Sequence, residues 1–250
     1  MPPRRLGIIV PSSNTTMETE FNEMIPDGYT VHSARMRMRK VTAEELKRMD
    51  EDSVKAAVEL SDAKVSAIGY GCTIAIMSRE VGYDEVVRRR VESRVRIPTI
   101  ISATAVLAAL RALGMKRVAI ATPYTSDLTE AEVDFVKKYG FEVPDYRGLG
   151  IESNTEVGNL KDSVAADLVR QLDYQNADGV LISCAQLPSA GVIGNLENEI
   201  GKPIVSTNTA TLWAMLQRLR VSTSIDGYGR LLEKPPRYPV ITLSATDRGR

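Results

Sequence analysis

This chain repeats itself at an offset of 112 residues, and a duplicated sequence is constrained to build the same structural unit twice. Its only two cysteines carry the repeat. Cys72 closes the apolar run Val65-Ser66-Ala67-Ile68-Gly69-Tyr70-Gly71, and Cys184 closes Ala177-Asp178-Gly179-Val180-Leu181-Ile182-Ser183. The same offset brings Ile8 onto Ile120, Pro11 onto Pro123, Glu18 onto Glu130 and Glu20 onto Glu132. The Pro-led segments starting at Pro98 and Pro203 are counterparts at an offset of 105, so a seven-residue indel separates cysteine from proline in the two copies. A ligand held between such halves meets one sulfur from each side. That suits a reaction with a nucleophile or base on one face and an acid on the other.

Within each copy, short β-type runs alternate with amphipathic segments, the pattern of an α/β fold with mostly parallel sheets flanked by helices. Strands are expected at Leu6 to Val10, Tyr29 to Arg35, the Cys72 run and Pro98 to Ser102, then again at Arg117 to Thr122, Phe141 to Arg147, the Cys184 run and Pro203 to Thr207. Helices are expected after the Ser12-Ser13-Asn14 turn, after the capping box Thr42-Ala43-Glu44-Glu45, and over Asp84 to Arg94, Val106 to Leu113, Ser126 to Tyr139, Leu160 to Leu172 and Asn208 to Leu219. The division expected is an N-terminal half over 1–114, which also receives the C-terminal segment 208–250, and a C-terminal half over 115–207. The tail after Gly229, with Pro235, Pro236 and Pro239, fits neither copy and reads as an extended arm.

Composition removes several classes of function. Lys plus Arg equals Asp plus Glu at 32 each, so no global field favours nucleic acid or a membrane surface. No apolar run reaches the roughly 18 residues of a membrane span. The first residues lead straight into a strand without a secretory core, so two free thiols in a reducing cytoplasm are expected. A single histidine, His32, excludes a multi-histidine metal site, and it reads as a surface or structural residue. The basic runs from Arg35 to Lys40 and Arg88 to Arg90 read as solvated faces. No glycine follows the first strand in Val10-Pro11-Ser12-Ser13-Asn14-Thr15, so a phosphate-binding Gly-rich loop is absent there.

In open α/β sheets ligands bind beyond the carboxyl ends of the strands. Here those ends carry Ser12, Ser13, Asn14, Cys72, Thr73, Pro123, Tyr124, Thr125, Asn154, Ser183 and Cys184, a neutral hydrogen-bonding set with two thiols. Helix N-termini there expose unpaired amides that suit anionic groups and are expected to favour thiolate. A thiol of pKa ~8.5 is about 3% ionised at pH 7, and lowering it to ~7 ionises half. Nucleophilicity falls with pKa, so the net gain by that route is only roughly threefold and positioning supplies the rest. Taken singly, a strand-end cysteine is a small buried apolar residue, and Asn14, Tyr124 and Asn154 are turn or cap residues. Two cysteines in register, with no others in the chain, tip the reading toward chemistry.

Five ordered segments then resemble the maleate cis-trans isomerases of the aspartate/glutamate racemase superfamily. They are Val10-Pro-Ser-Ser-Asn-Thr-Thr-Met-Glu18, Tyr70-Gly-Cys-Thr-Ile-Ala75, Thr122-Pro-Tyr124, Glu152-Ser-Asn-Thr155 and Ser183-Cys-Ala-Gln-Leu187. The resemblance implies two pseudo-symmetric halves with the site in the cleft between them, no metal or organic cofactor, and a homodimer or higher homo-oligomer. It implies that Cys72 is the covalent nucleophile and Cys184 the acid/base. Asn14, Tyr124 and Asn154 would hold the carboxylates of a small dicarboxylate, maleate or fumarate, with Ser12, Thr73 and Ala185 beside them. Amino-acid racemases of the superfamily carry an Asp in the first turn and a His or acid after the second Cys; here those places hold Ser12-Ser13-Asn14 and Ala185-Gln186-Leu187. Arylmalonate decarboxylases keep only the second thiol, whereas Cys72 is present. A two-thiol racemase or decarboxylase on another small dicarboxylate, a protein of ectoine catabolism and a non-catalytic small-acid binder are the alternatives.

Overall fold

A computed structural model of the chain describes residues 3–38 and 43–237. The first half runs β1 (Arg4–Pro11), α1 (Met17–Met24), β2 (Tyr29–Met36), α2 (Ala43–Asp62), β3 (Ala67–Tyr70), α3 (Ile74–Met77), α4 (Tyr83–Val95), β4 (Thr99–Ile101) and α5 (Ser102–Ala112). The second runs β5 (Val118–Thr122), α6 (Ser126–Lys138), β6 (Tyr146–Gly148), α7 (Asn154–Gly158), α8 (Asp162–Arg170), β7 (Gly179–Ile182), α9 (Ile193–Ile200), β8 (Ile204–Ser206) and α10 (Thr207–Arg218). A last helical turn, α11, spans Arg230–Glu233.

The two sheets have the same order, β2-β1-β3-β4 and β6-β5-β7-β8, and every strand pair is parallel. The central strands explain why. Leu6, Ile8, Ile9 and Val10 on β1 and Val118 to Ala121 on β5 are all buried, as strands covered on both faces must be. Helix α10 packs on α5 and also on β3, β4 and β8, which brings the end of the second copy onto the first sheet. Gly69 of β3 permits that approach, since a Cβ there would lie 2.9 Å from Met215 Sδ.

Four local expectations are corrected. The strand expected from Phe141 to Arg147 shrinks to Tyr146–Gly148 plus an isolated bridge between Arg117 and Glu142, because Pro144 has no N–H for the ladder. The helix expected from Leu160 is two helices, with α7 beginning at Asn154 under a Ser153 cap. Helix α9 was not anticipated, although Ile193, Leu196 and Ile200 give it one buried face; it fills the place that the longer α4 takes in the first copy. The tail does not extend as an arm within the described residues. Leu231 and Leu232 are buried, and Trp213 Nε1 donates to the Pro236 carbonyl at 3.2 Å. The rest of the tail, Thr42 of the expected capping box, and Arg39 and Lys40 of the basic run lie outside the described residues.

Candidate active site

The carboxyl ends of β1, β3, β5 and β7 meet around one cleft, and both thiols line it. Cys72 sits two residues beyond β3 and two before α3, and Cys184 two residues beyond β7. Both are buried and unpaired in any disulfide, and Cys184 is close enough for its charge to raise the pKa of Cys72. The equivalence is not complete. Cys184 is held at φ +123°, outside the regions an L-residue ordinarily adopts, and such strain persists only where surrounding contacts impose it. Here Thr207 Oγ1 accepts from Cys184 N at 3.1 Å, while Gln186 N donates to Cys184 Sγ at 3.4 Å.

Polar bonds between the copies fix the width of the cleft. Gln186 is buried and makes most of them. Its Oε1 accepts from Thr15 N at 2.8 Å and Thr16 N at 3.3 Å, and its Nε2 donates to Ser13 O at 3.1 Å and, within its own copy, to Asn154 O at 3.0 Å. Thr16 Oγ1 returns a bond to Gln186 O at 2.8 Å. Asn154 Nδ2 donates to Ser13 Oγ at 2.8 Å. Deeper in, Glu20 accepts from Ser189 N, Ala190 N and Asn208 Nδ2 at 2.7, 2.8 and 2.6 Å. Burial raises the Glu20 pKa and these three donors work against the rise. Replacing Gln186 with methionine keeps the volume and removes the partner of Thr15 N and two carbonyl contacts, while Thr16 N retains Asn14 Oδ1, so it is expected to cost about 1–3 kcal/mol. Urea unfolding should show a lower midpoint at unchanged slope.

Burial decides the state of the thiols. It pushes Cys72 up to about 12 against a single helping amide, Ala75 N–H. It pushes Cys184 up to about 11, although the facing Tyr124 hydroxyl and the amides of Gln186 and Leu187 favour its thiolate. The expectation that helix amides would leave these thiols partly ionised is therefore corrected: desolvation outweighs them. Tyr124 bridges the copies, its hydroxyl 3.4 Å from Thr73 Oγ1 on one side and against Cys184 on the other. Burial raises its pKa as well, so it is a neutral donor throughout the physiological range.

Asn14, Thr73, Tyr124, Asn154 and Ala185 line the cleft with the two thiols. Asn14 Oδ1 is committed to Thr16 N and Met17 N at 3.2 and 3.0 Å, which caps α1 and leaves its NH2 group to serve the cleft. Ser12 is not brought in: it is exposed, accepts from Met38 N at 3.2 Å, and is absent from the lining. The lining is also not wholly neutral, because Glu152 stands at the exposed rim. Gln186 and Thr207 are not singled out by the sequence, since their bonds reach across 171 and 23 residues. A larger groove between α4 and β4 contains neither thiol, and its Arg88 pairs with both Glu85 and Glu92. Among the described residues no His, Cys, Asp and Glu cluster could hold a metal ion, and no helix is long and apolar enough to cross a membrane.

Comparison with known proteins points one way. A family profile described as arylmalonate decarboxylase matches residues 6–232. The maleate isomerase of Geobacillus stearothermophilus is 40% identical over 242 residues, covering 91% of this chain and 96% of that protein. A cysteine-to-alanine variant of the maleate isomerase of Pseudomonas putida S16, solved with maleate, superposes with a TM-score of 0.88 at 41% identity, covering 94% of this chain and 98% of that one. A cysteine-to-serine variant of the Nocardia farcinica maleate cis-trans isomerase, with a covalently bound succinylcysteine intermediate, superposes at 0.87 with 34% identity, covering 92% and 98%.

Proposed function

The chain belongs to the maleate cis-trans isomerase family, and from that membership we propose that it converts maleate to fumarate through a covalent succinyl-cysteine, using its own two thiols. The observation that carries this reading is the pair of buried thiols at equivalent positions of two copies, lining one cleft.

Maleate cannot rotate about its double bond, so an isomerase makes that bond single for a time. Cys72 gives its proton to water, and its thiolate, beside Ala75 N–H, adds to one alkene carbon. The new S–C bond takes its electron pair from sulfur, and the π pair moves to the other carbon, which takes the proton of Cys184. Rotation follows about the single bond. Cys184 thiolate then removes a proton from the carbon it protonated, the double bond re-forms, and the pair of the S–C bond returns to Cys72.

Negative charge grows on a substrate carboxylate during addition, and donors already in place stabilise it without reorganisation. The NH2 of Asn14, the Tyr124 and Thr73 hydroxyls and the Asn154 amide are the donors in reach, with Ala185 beside them; the placement of Ser12 gives it no direct part. Neutral donors suit this task, because fixed cations would hold substrate and intermediate almost equally, lowering KM without raising kcat. Two unpaired thiols support a cytoplasmic setting, and Val81, Val86 and Tyr146 are exposed apolar side chains available to a homo-oligomeric contact. Two separate sheets, with α10 added to the first, support division into 1–114 and 115–207. Purified protein incubated with maleate is expected to yield fumarate, followed by proton NMR, at a rate unchanged by EDTA. No fumarate, or activity lost to EDTA and restored by metal, overturns the reading.

A further inference from the structure

Behind the substrate cleft lies a second cavity of about 310 Å³, set on the boundary between the copies and open to water, since Thr15, Thr19 and Glu23 on its rim are exposed. The wall between the two spaces is one residue thick. Asn14 lines the cleft and Thr15 the cavity; Val157 lines the cleft and Gly158 the cavity. The Gln186 side chain closes the seam between these two strips of chain. It lines the cleft, and its Nε2 reaches Thr15 Oγ1 at 3.3 Å on the cavity side. It packs so closely on Gly158 that a Cβ there would collide with Nε2 and lie 2.6 Å from Thr15 Oγ1. Bonded also to Thr15 N, Ser13 O and Asn154 O, the amide is anchored on both copies, and Gln186 is only 1% exposed. Its own backbone N–H reaches Cys184 Sγ at 3.4 Å, so Cys184 is the thiol next to this wall.

We propose that Gln186 is a positioning residue for the isomerisation, the partition that keeps the water of the second cavity away from Cys184. The inference rests on the maleate reading above and concerns the return of the proton. Once Cys184 has protonated the substrate carbon it is a thiolate, and it has to stay one until it takes a proton back. A buried thiolate whose pKa stands at about 11 takes a proton from any water that reaches it, leaving hydroxide. Elimination then lacks its base, and the succinyl group remains on Cys72. The substrate itself covers the mouth, because a cleft of about 50 Å³ is filled by a four-carbon dicarboxylate. The rear is covered by Gln186 alone.

An amide suits this place better than a hydrocarbon of the same size. Thr15 N, Ser13 O and Asn154 O are backbone groups that need partners, and a side chain bonded to all of them does not swing out into the cavity. Two of those groups flank Asn14 and the third belongs to Asn154, so the same side chain fixes both asparagines relative to Cys184.

Gln186→Ala and Gln186→Met delete the same bonds, but only alanine opens the wall, so the pair separates a partition from a merely stabilising contact. Iodoacetamide labelling of the intact chain at pH 9 without substrate, read by peptide mass spectrometry, is the first measurement. Water at Cys184 relieves its desolvation and lowers its pKa. Gln186→Ala should therefore label Cys184 roughly tenfold faster than wild type, the equivalent of about one pKa unit, with Gln186→Met within about twofold. With maleate, Gln186→Ala should accumulate a succinyl group on Cys72 by intact mass, and Gln186→Met should not. Equal labelling of Cys184 in the two variants, or isomerisation by Gln186→Ala without accumulated adduct, overturns the proposal. Should Gln186→Ala not fold, Gly158→Ala decides, because its methyl displaces the Gln186 amide from the cavity side. Faster Cys184 labelling in that variant supports the partition, and labelling at the wild-type rate overturns it. The labelling uses no maleate, so a failure of the isomerase reading would show separately, as absent fumarate with the labelling result intact.

Discussion

Replacing Cys72 with serine is expected to lower isomerisation at least ~1,000-fold, equivalent to about 4 kcal/mol of transition-state stabilisation. A serine hydroxyl is far less acidic than a thiol and its oxygen less polarisable, so the anion that must add to the alkene is no longer formed. The fold should survive. Serine is slightly smaller than cysteine, the site is nearly buried, and Ala75 N–H provides a donor for the new oxygen. A urea midpoint close to that of the wild type, measured beside fumarate formation, separates lost chemistry from lost structure. Activity above a tenth of wild type would remove Cys72 from the bond-forming role.

The reason such a site could be read from the chain lies in the duplication. Ile8 on Ile120 and Cys72 on Cys184 are local identities, and strands whose both faces are covered announce themselves as apolar runs. The order of both sheets and the convergence of Cys72, Thr73, Tyr124, Asn154 and Cys184 follow from that repeat and from the rule that ligands lie beyond strand ends. Features fixed by tertiary contacts were not legible. Gln186 stood in the sequence only as a departure from the racemases, yet four side-chain contacts from it reach the first copy and hold the two together. Ser12 resembled its neighbours and turned outward to Met38. The ionisation of the thiols is not legible either, because helix amides are visible in a pattern whereas desolvation depends on tertiary packing. The repeat showed that Glu20 and Glu132 correspond; only the fold showed that one is satisfied and the other is not.

Loss of the second thiol should leave a different trace. Cys184→Ser should also cut turnover at least ~1,000-fold, but by a different route, because it removes the acid/base while leaving the nucleophile. Serine can still place a proton near the alkene carbon, and it is a very poor acceptor for taking the proton back. Addition then becomes slow and elimination slower, so protein incubated with maleate should accumulate a succinyl group on Cys72. Intact mass should rise by the mass of maleic acid, since addition of the thiol S–H across the double bond loses no atoms, and peptide mapping should place all of it on Cys72. The double substitution of Cys72 and Cys184 by serine should gain nothing. In the wild type the same chemistry run in deuterated water should leave some deuterium on the fumarate carbon that Cys184 serves, because a thiol proton exchanges with solvent between turnovers. An adduct mapped to Cys184 in the Cys72→Ser protein, with none on Cys72 in its counterpart, would exchange the two roles. An adduct on Cys72 alone would leave Cys184 as the proton carrier, the role in which the Tyr124 hydroxyl and the amides of Gln186 and Leu187 steady its thiolate after it has given up its proton.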